Sequence, residues 1–339
     1  CFATMLIALI KVRTVNLTEI ACGFSSTATQ DSRYIRIKRF FREFQIDFTV
    51  IAAWVIHFFA LSGQPLYLSM DRTNWRWGKK GVKILMLSIV YKGIAIPLFW
   101  DLLAKKGNSN TAERIKIIDR FIKQFGKTMI AGLLADREFV GDDWFSWLLT
   151  EGIPFCIRIK GNVITTNARE LEVGIDGLFY DLKPGEHRVI QNKRKLWKQQ
   201  VYLSALRLTD GKLLIVATDS LMPDPILHYA KRWEIETLFS CLKSRGFNFE
   251  DTHITILERI EKLLVLLTIV FCWAYKTGEW RHTQRAIKIK KHGRKSISYF
   301  RYGLDILRDA ALNGTQCIHG FLSDILGFLC MSPMECTVT

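Results

Sequence analysis

Residues 229–243, YAKRWEIETLFSCLK, have the pattern of an amphipathic helix but carry an odd line of polar side chains. At about 100° per residue, Tyr229, Arg232, Glu236 and Lys243 fall within an arc of about 60°. Ile235, Leu238, Phe239 and Leu242 form the apolar stripe beside it. Glu234 points well away from the polar line, so Glu236 is the carboxylate that belongs to it. A plain surface face would account for Arg232 and Glu236 as an i,i+4 ion pair. Two more carboxylates raise the stakes. Asp71 closes the strand-like PLYLSMD, and Asp136 closes the apolar run that leads into ADREF. Alone, either is an ordinary turn residue. Together, three carboxylates from two strand ends and one helix face can hold two divalent ions about 4 Å apart, the arrangement that cleaves phosphodiesters. Oxygen-only ligands select Mg²⁺ or Mn²⁺. Arg232 and Lys243 would then grip nucleic-acid phosphates beside the ions, and Tyr229 would bond a phosphate or stack on a base.

The elements that must position these groups can be read from periodicity. Residues 65–71 alternate like a strand, and KILMLSIVYKG (83–93) and IAIPLFWDLL (94–103) read as buried strands joined at Gly93. GNSNTAERIKIIDRFIKQFG (107–126) is a helix with Asn110 or Thr111 as its cap and Gly126 at its end. A strand (127–139), a helix (141–152) and a strand (154–162) follow. Three strands, a helix, a strand, a helix and a strand is the order of a ribonuclease-H-like α/β fold. Its first and fourth strands are neighbours, which would set Asp71 beside Asp136. Short alternating runs and turns, including Asp210-Gly211, break the order over 163–220 and read as a mostly β insertion. The expected organisation is therefore a core of 65–162 and 221–280, an insertion at 163–220, a helical segment at 1–64 and a basic segment at 281–339. In the first segment SRYIRIKRFFREF reads as a basic amphipathic helix, with Arg36 and Arg39 as candidate DNA contacts. Trp75 and Trp197 read as exposed aromatics among basic residues.

The 339 residues carry 48 Lys and Arg against 32 Asp and Glu, a formal +16, which points to a polyanionic partner, nucleic acid first. RHTQRAIKIKKHGRKSIS (281–298) holds seven cations and no acid, and reads as a DNA-backbone patch. The eight cysteines form no C-x-x-C pair, so zinc and a disulfide framework are not expected and a cytoplasmic setting is. The apolar runs at 50–63 and 263–275 are too short to span a bilayer and read as buried helices. The opening residues lack Met and start mid-helix, so the first segment is expected to be incomplete.

Y-x2-R-x3-E-x6-K, as Tyr229, Arg232, Glu236 and Lys243, resembles the YREK signature of bacterial insertion-sequence transposases of the IS-four type. DRTNW around Asp71 and ADREF around Asp136 resemble that family's first two acidic motifs, and GNSNTAER, LKSRGFNFEDTHI and KKHGRKSISYFRYGLDILR resemble further family segments. The resemblance covers about residues 5–310. It implies a DDE recombinase with a β insertion between the second Asp and the Glu, using two Mg²⁺ or Mn²⁺ ions at Asp71, Asp136 and Glu236. It also implies cut-and-paste chemistry on terminal inverted repeats and target DNA, a homodimer in a paired-end complex, and action at the bacterial nucleoid. Trp197 would stack on a base flipped near the cleaved end. Two rival expectations are a nuclease on the same fold that cuts without joining and an inactive or truncated DNA-binding derivative.

Overall fold

The computed structural model describes residues 1–77, 80–103, 105, 107–291 and 293–313. The chain forms two compact units: Cys1–Ser62, Asn74–Val82 and Leu238–Thr339 make one, and Gly63–Thr73 with Lys83–Thr237 make the other. The first is helical and the second is built on a sheet.

The helical unit opens with α1 (Phe2–Val12), α2 (Leu17–Cys22), α3 (Gln30–Glu43) and α4 (Phe48–Phe58). Side chains start three of them: Asn16, Thr29 and Asp47 each accept from a backbone N–H of the following first turn. α3 buries Ile37, Phe40 and Phe41 and leaves its arginines outside.

In the sheet unit β1 (Leu66–Trp77), β2 (Lys80–Tyr91), β3 (Ile94–Leu103), β4 (Ile130–Ala135) and β5 (Phe155–Ile159) lie in the order β3-β2-β1-β4-β5. β1 pairs parallel with β4 and β4 with β5, while β2 and β3 are antiparallel. This is the ribonuclease-H-like order expected from sequence. α5 (Thr111–Phe125) begins with a reciprocal capping box between Asn110 and Glu113 and buries Ile117, Ile118 and Phe121. α6 (Asp142–Thr150) buries Trp144, Phe145 and Leu148. Over the expected insertion, β6 (Ile164–Thr166) and β7 (Glu172–Gly174) form a separate ribbon. β8 (His187–Val189), β9 (Arg194–Leu196), β10 (Gln199–Arg207) and β11 (Leu213–Thr218) instead extend the main sheet, antiparallel from β5 through β11 and β10.

The helix expected over 229–243 is three pieces in one run: α7 (Pro225–Ala230), a 3₁₀ turn (Lys231–Trp233) and α8 (Glu234–Leu242). A 3₁₀ turn advances about 120° per residue, so the simple wheel loses phase across it. α8 leaves the sheet unit at Thr237/Leu238. The helical unit then resumes with α9 (Leu257–Gln284) and α10 (Tyr299–Asn313). α9 buries almost every residue from Lys262 to Gly278, as the apolar run at 263–275 foretold. No helix of the described residues is long and apolar enough to cross a membrane.

α9 and α10 cross at glycines. A Cβ on Gly303 would collide with the carbonyl of Ala274, and one on Gly278 with that of Tyr299. Backbone cannot yield as a flexible side chain can, so Gly303→Ala is expected to cost at least about 2 kcal/mol. A denaturant midpoint unchanged by the substitution would show that the crossing is not tight.

Candidate active site

The parallel register of β1 and β4 ends at Met70 opposite Ala135. The next residues are Asp71 and Asp136, so the sheet itself brings the two carboxylates to neighbouring positions. One expectation needs correction: Asp71 does not end its strand, since β1 runs on to Trp77. What ends at Asp71 is the pairing with β4. Each aspartate anchors one oxygen on the next residue's backbone, Asp71 Oδ1 accepting from the N–H of Arg72 and Asp136 Oδ1 from that of Arg137, both at 2.7 Å.

Arg232 joins the groups. The residue is 3% exposed, and its Nη1 donates to Asp71 Oδ2 at 3.0 Å while Nη2 donates to Glu236 Oε1 at 2.6 Å. The 3₁₀ turn that carries Arg232 is tied to the sheet, because Ser69 Oγ donates to the Arg232 carbonyl and Ser88 Oγ to that of Ser69. Tyr229 is fully buried and its hydroxyl donates to Asp136 Oδ1 at 3.3 Å. Arg158 Nη1 stands 3.9 Å from the same oxygen. Tyr229 and Arg232 thus face the acids, and in this arrangement their donors are bonded to carboxylates. The cause is tertiary: buried carboxylates require donors, and these two side chains supply them.

Burial pushes the Asp71 carboxyl up to about 6, against the pull of Arg232 and of the Arg72 N–H. Burial likewise raises the Tyr229 phenol to about 12, which keeps it a donor. Arg232 is held above its usual range: burial alone would lower it, but Tyr229, Asp71 and Glu236 outweigh that cost.

Glu234 serves differently from Glu236. Its carboxylate accepts from the backbone N–H of Tyr91 at 2.9 Å and of Gly93 at 3.1 Å, clasping the turn between β2 and β3. Glu236 is the exposed acid, with 58% of its side chain accessible.

Lys243 lies in the helical unit, with Nζ 3.4 Å from the Asn74 carbonyl and 3.5 Å from Glu250. Arg36 and Arg39 are exposed on α3 and line a hollow of about 300 Å³ with Ser26 and Ser32. Trp197 is half-buried at a left-handed φ of 55°, edge-on to Phe145, and lines a cavity of about 420 Å³ with Thr165, Thr166 and Lys195. Trp75, expected to be exposed, is 5% exposed and packs against Phe249 in the helical unit.

Sequence reasoning missed a clamp beside the acids. Arg72 donates to both oxygens of Glu138 at 3.1 Å, to the Gly107 carbonyl at 2.7 Å and to Asn108 Oδ1 at 3.1 Å. It fixes the strand just past Asp71 to the loop just past Asp136. The signal was the charged residue next to each aspartate, in DRTNW and ADREF, but pairing them requires the sheet register. Arg114, 4% exposed, donates to the carbonyls of Ser109, Val140 and Glu138 and holds the same loops from beneath.

The donor chemistry of Asp71, Asp136 and Glu236 suits a hard divalent ion. The spacing does not: a guanidinium links two of the three acids, and among the described residues no group of three His, Cys, Asp or Glu side chains is placed to hold a metal.

A ribonuclease-H-like sheet with neighbouring aspartates where the pairing of its first and fourth strands ends, backed by an Arg–Glu helix, defines a class of polynucleotide-processing folds. Within it, residues 62–273 match the family model described as Transposase DDE domain, and the chain belongs to that family. Among solved structures, the piggyBac transposase synaptic complex with hairpin DNA, determined by cryo-EM, is similar at 12% identity and a TM-score of 0.48, over 97% of this chain and 74% of that one. A likeness so distant carries nothing about chemistry. None of the curated proteins is a significant match.

The raised Asp71 carboxyl makes folding depend on pH. Between about 4 and 6 the unfolded chain releases this proton before the folded one, so stability falls as pH rises; above 6 the loss is constant, at most about 3 kcal/mol. Asp71→Asn should abolish that fall, leaving stability level between about pH 4 and 6. Chemical unfolding of both proteins from pH 3.5 to 8 checks this, and a parent whose stability rises through that window would contradict it.

Proposed function

We propose that this chain is an active transposase that cleaves DNA at the ends of its mobile element and joins those ends to target DNA, with Asp71, Asp136 and Glu236 as the acidic residues. The observation that carries the reading is the shared arginine. Arg232 gathers Asp71 and Glu236 onto one buried guanidinium, and the β1–β4 register puts Asp136 next to Asp71.

Asp71, Asp136 and Glu236 would hold the Mg²⁺ or Mn²⁺ ions that such chemistry uses; two bound ions supply activation of a water or 3′-hydroxyl and stabilisation of the leaving oxygen. Loading requires Arg232 to release at least one carboxylate. Tyr229 orients Asp136 through its hydroxyl, and the Arg72–Glu138 clamp keeps the two aspartate segments together. Arg36 and Arg39 on α3 contact transposon-end DNA, Lys243 contacts a phosphate, and the cavity under Trp197 receives a base turned out of the duplex. The protein acts as a homodimer on paired terminal inverted repeats, in the cytoplasm of a bacterium at the nucleoid.

Asp136→Asn and Glu236→Gln should bind a transposon-end duplex within a few-fold of the parent but cut it at least about 100-fold more slowly in Mg²⁺. Rapid-quench assays on end-labelled duplex measure both steps, and near-parental cutting by either variant would remove that residue from the chemistry. Strand-transfer products on a supercoiled target plasmid separate a transposase from a nuclease that only cuts.

Removing Arg232 leaves the largely buried Asp71 carboxylate without its cation. Arg232→Ala should cost about 3–5 kcal/mol in metal-free buffer. Millimolar Mn²⁺ should then raise the Tm of the variant by more than that of the parent, as the ion replaces the lost cation. Equal Mn²⁺ shifts in the two proteins would refute competition between Arg232 and the ion.

A further inference from the structure

The basic run after α9 is a built element. Lys290 N–H donates to the Arg294 carbonyl at 2.8 Å, Ser296 N–H to that of Lys288 at 2.8 Å, and Ile289 bridges Lys295 antiparallel. Gly293, at φ 78°, makes the turn that a side chain would strain. The base of this hairpin is anchored in the helical unit. Ile287 is 7% exposed, its N–H donates to His282 Nδ1 at 2.9 Å, and Lys295 Nζ sits 3.5 Å over the Tyr299 ring. From Trp280 to Leu304 the sequence holds no acid. Arg285, Lys288, Lys290 and Lys291 are exposed, and none is in an ion pair among the described residues.

Such a finger costs self-repulsion unless a polyanion offsets it. Strand alternation puts Lys288 and Lys290 on one face, about 6.7 Å apart. Lysines are point charges suited to phosphate oxygens, no Asn, Gln or Asp accompanies them on the hairpin, and its two guanidinium forks, Arg285 and Arg294, are not among the contacts assigned below. The apolar side does not favour a bilayer. Ile289, at 60%, is the one exposed large hydrophobic residue among the described residues from 257 to 311, whereas an interfacial anchor needs a broad apolar face.

We infer that the hairpin of residues 285–296 is a sequence-independent clamp on the phosphate backbone of duplex DNA, with Lys288, Lys290 and Lys291 as its contacts. This rests on the DNA-directed reading above, and it assigns the hairpin to holding the duplex irrespective of sequence rather than to recognising the transposon end.

The test is the salt dependence of binding. Fluorescence anisotropy on labelled duplexes of two unrelated sequences is followed from low to moderate salt, for the parent and for the triple variant Lys288→Ala, Lys290→Ala, Lys291→Ala. The expected result is a slope of log affinity against log salt lowered by two to three units, about 0.9 per lost phosphate contact, and equally on both sequences. The Lys→Arg triple variant should keep the parental slope, which ties the effect to charge and not to folding. An unchanged slope for the Ala variant would overturn the inference, as would a loss confined to one sequence. Loss of binding to phosphatidylglycerol vesicles with duplex binding intact would overturn it in favour of a lipid surface. Cutting of an end duplex by the parent is scored separately: a parent that never cuts, with a slope that still drops, refutes the catalytic reading and leaves the clamp standing.

Discussion

A buried arginine between two carboxylates is the constraint on which this site depends. Arg232 is 3% exposed and is shared by Asp71 and Glu236. An ion taken out of water costs several kcal/mol, so the buried guanidinium is held against the largely buried Asp71, with the exposed Glu236 as its second partner. That cost also explains the supporting cast. The carbonyl of Arg232 is taken up by Ser69, and the guanidinium sits 5.7 Å from the Tyr229 ring. Burial lifts the Asp71 carboxyl to about 6 even with the cation beside it.

Around that centre the sheet does the positioning. Register in a parallel pair is fixed by the apolar residues that must face the same side, here Leu66, Leu68 and Met70 of β1 against Ile130, Leu133 and Ala135 of β4. The pairing of Asp71 with Asp136 is thus a by-product of core packing. Arg72 and Glu138 then lock the two segments beyond the paired region, where the backbone ladder between β1 and β4 has ended.

Much of this was legible in the sequence because it is local. The capping box at Asn110–Glu113, the buried strands and the order of elements follow from periodicity and turn chemistry. Glu234, which the helical wheel set apart from the polar line, accepts from the turn at Tyr91 and Gly93. What the sequence hid is non-local. Arg232 and Asp71 are 161 residues apart, and Arg72 and Glu138 are 66 apart. The helical wheel placed Arg232 beside Glu236 but could not say that Asp71, far along the chain, would pair with the buried guanidinium as well. The wheel was also drawn through Lys243, which follows the last residue of α8. Trp75 was misjudged for a similar reason: its flanking charges read as surface, while Phe249, far along the chain, covers its ring.

The central claim, that Asp71, Asp136 and Glu236 serve one divalent-ion site, is tested most directly by affinity cleavage of the polypeptide. Fe²⁺ in place of Mg²⁺, with ascorbate and peroxide, generates hydroxyl radicals that cut the backbone beside the bound ion. The account predicts three groups of fragments, ending near residues 71, 136 and 236, suppressed together by excess Mg²⁺ and lost together in Glu236→Gln. Cuts at one of these segments alone, or at none of them, would contradict it.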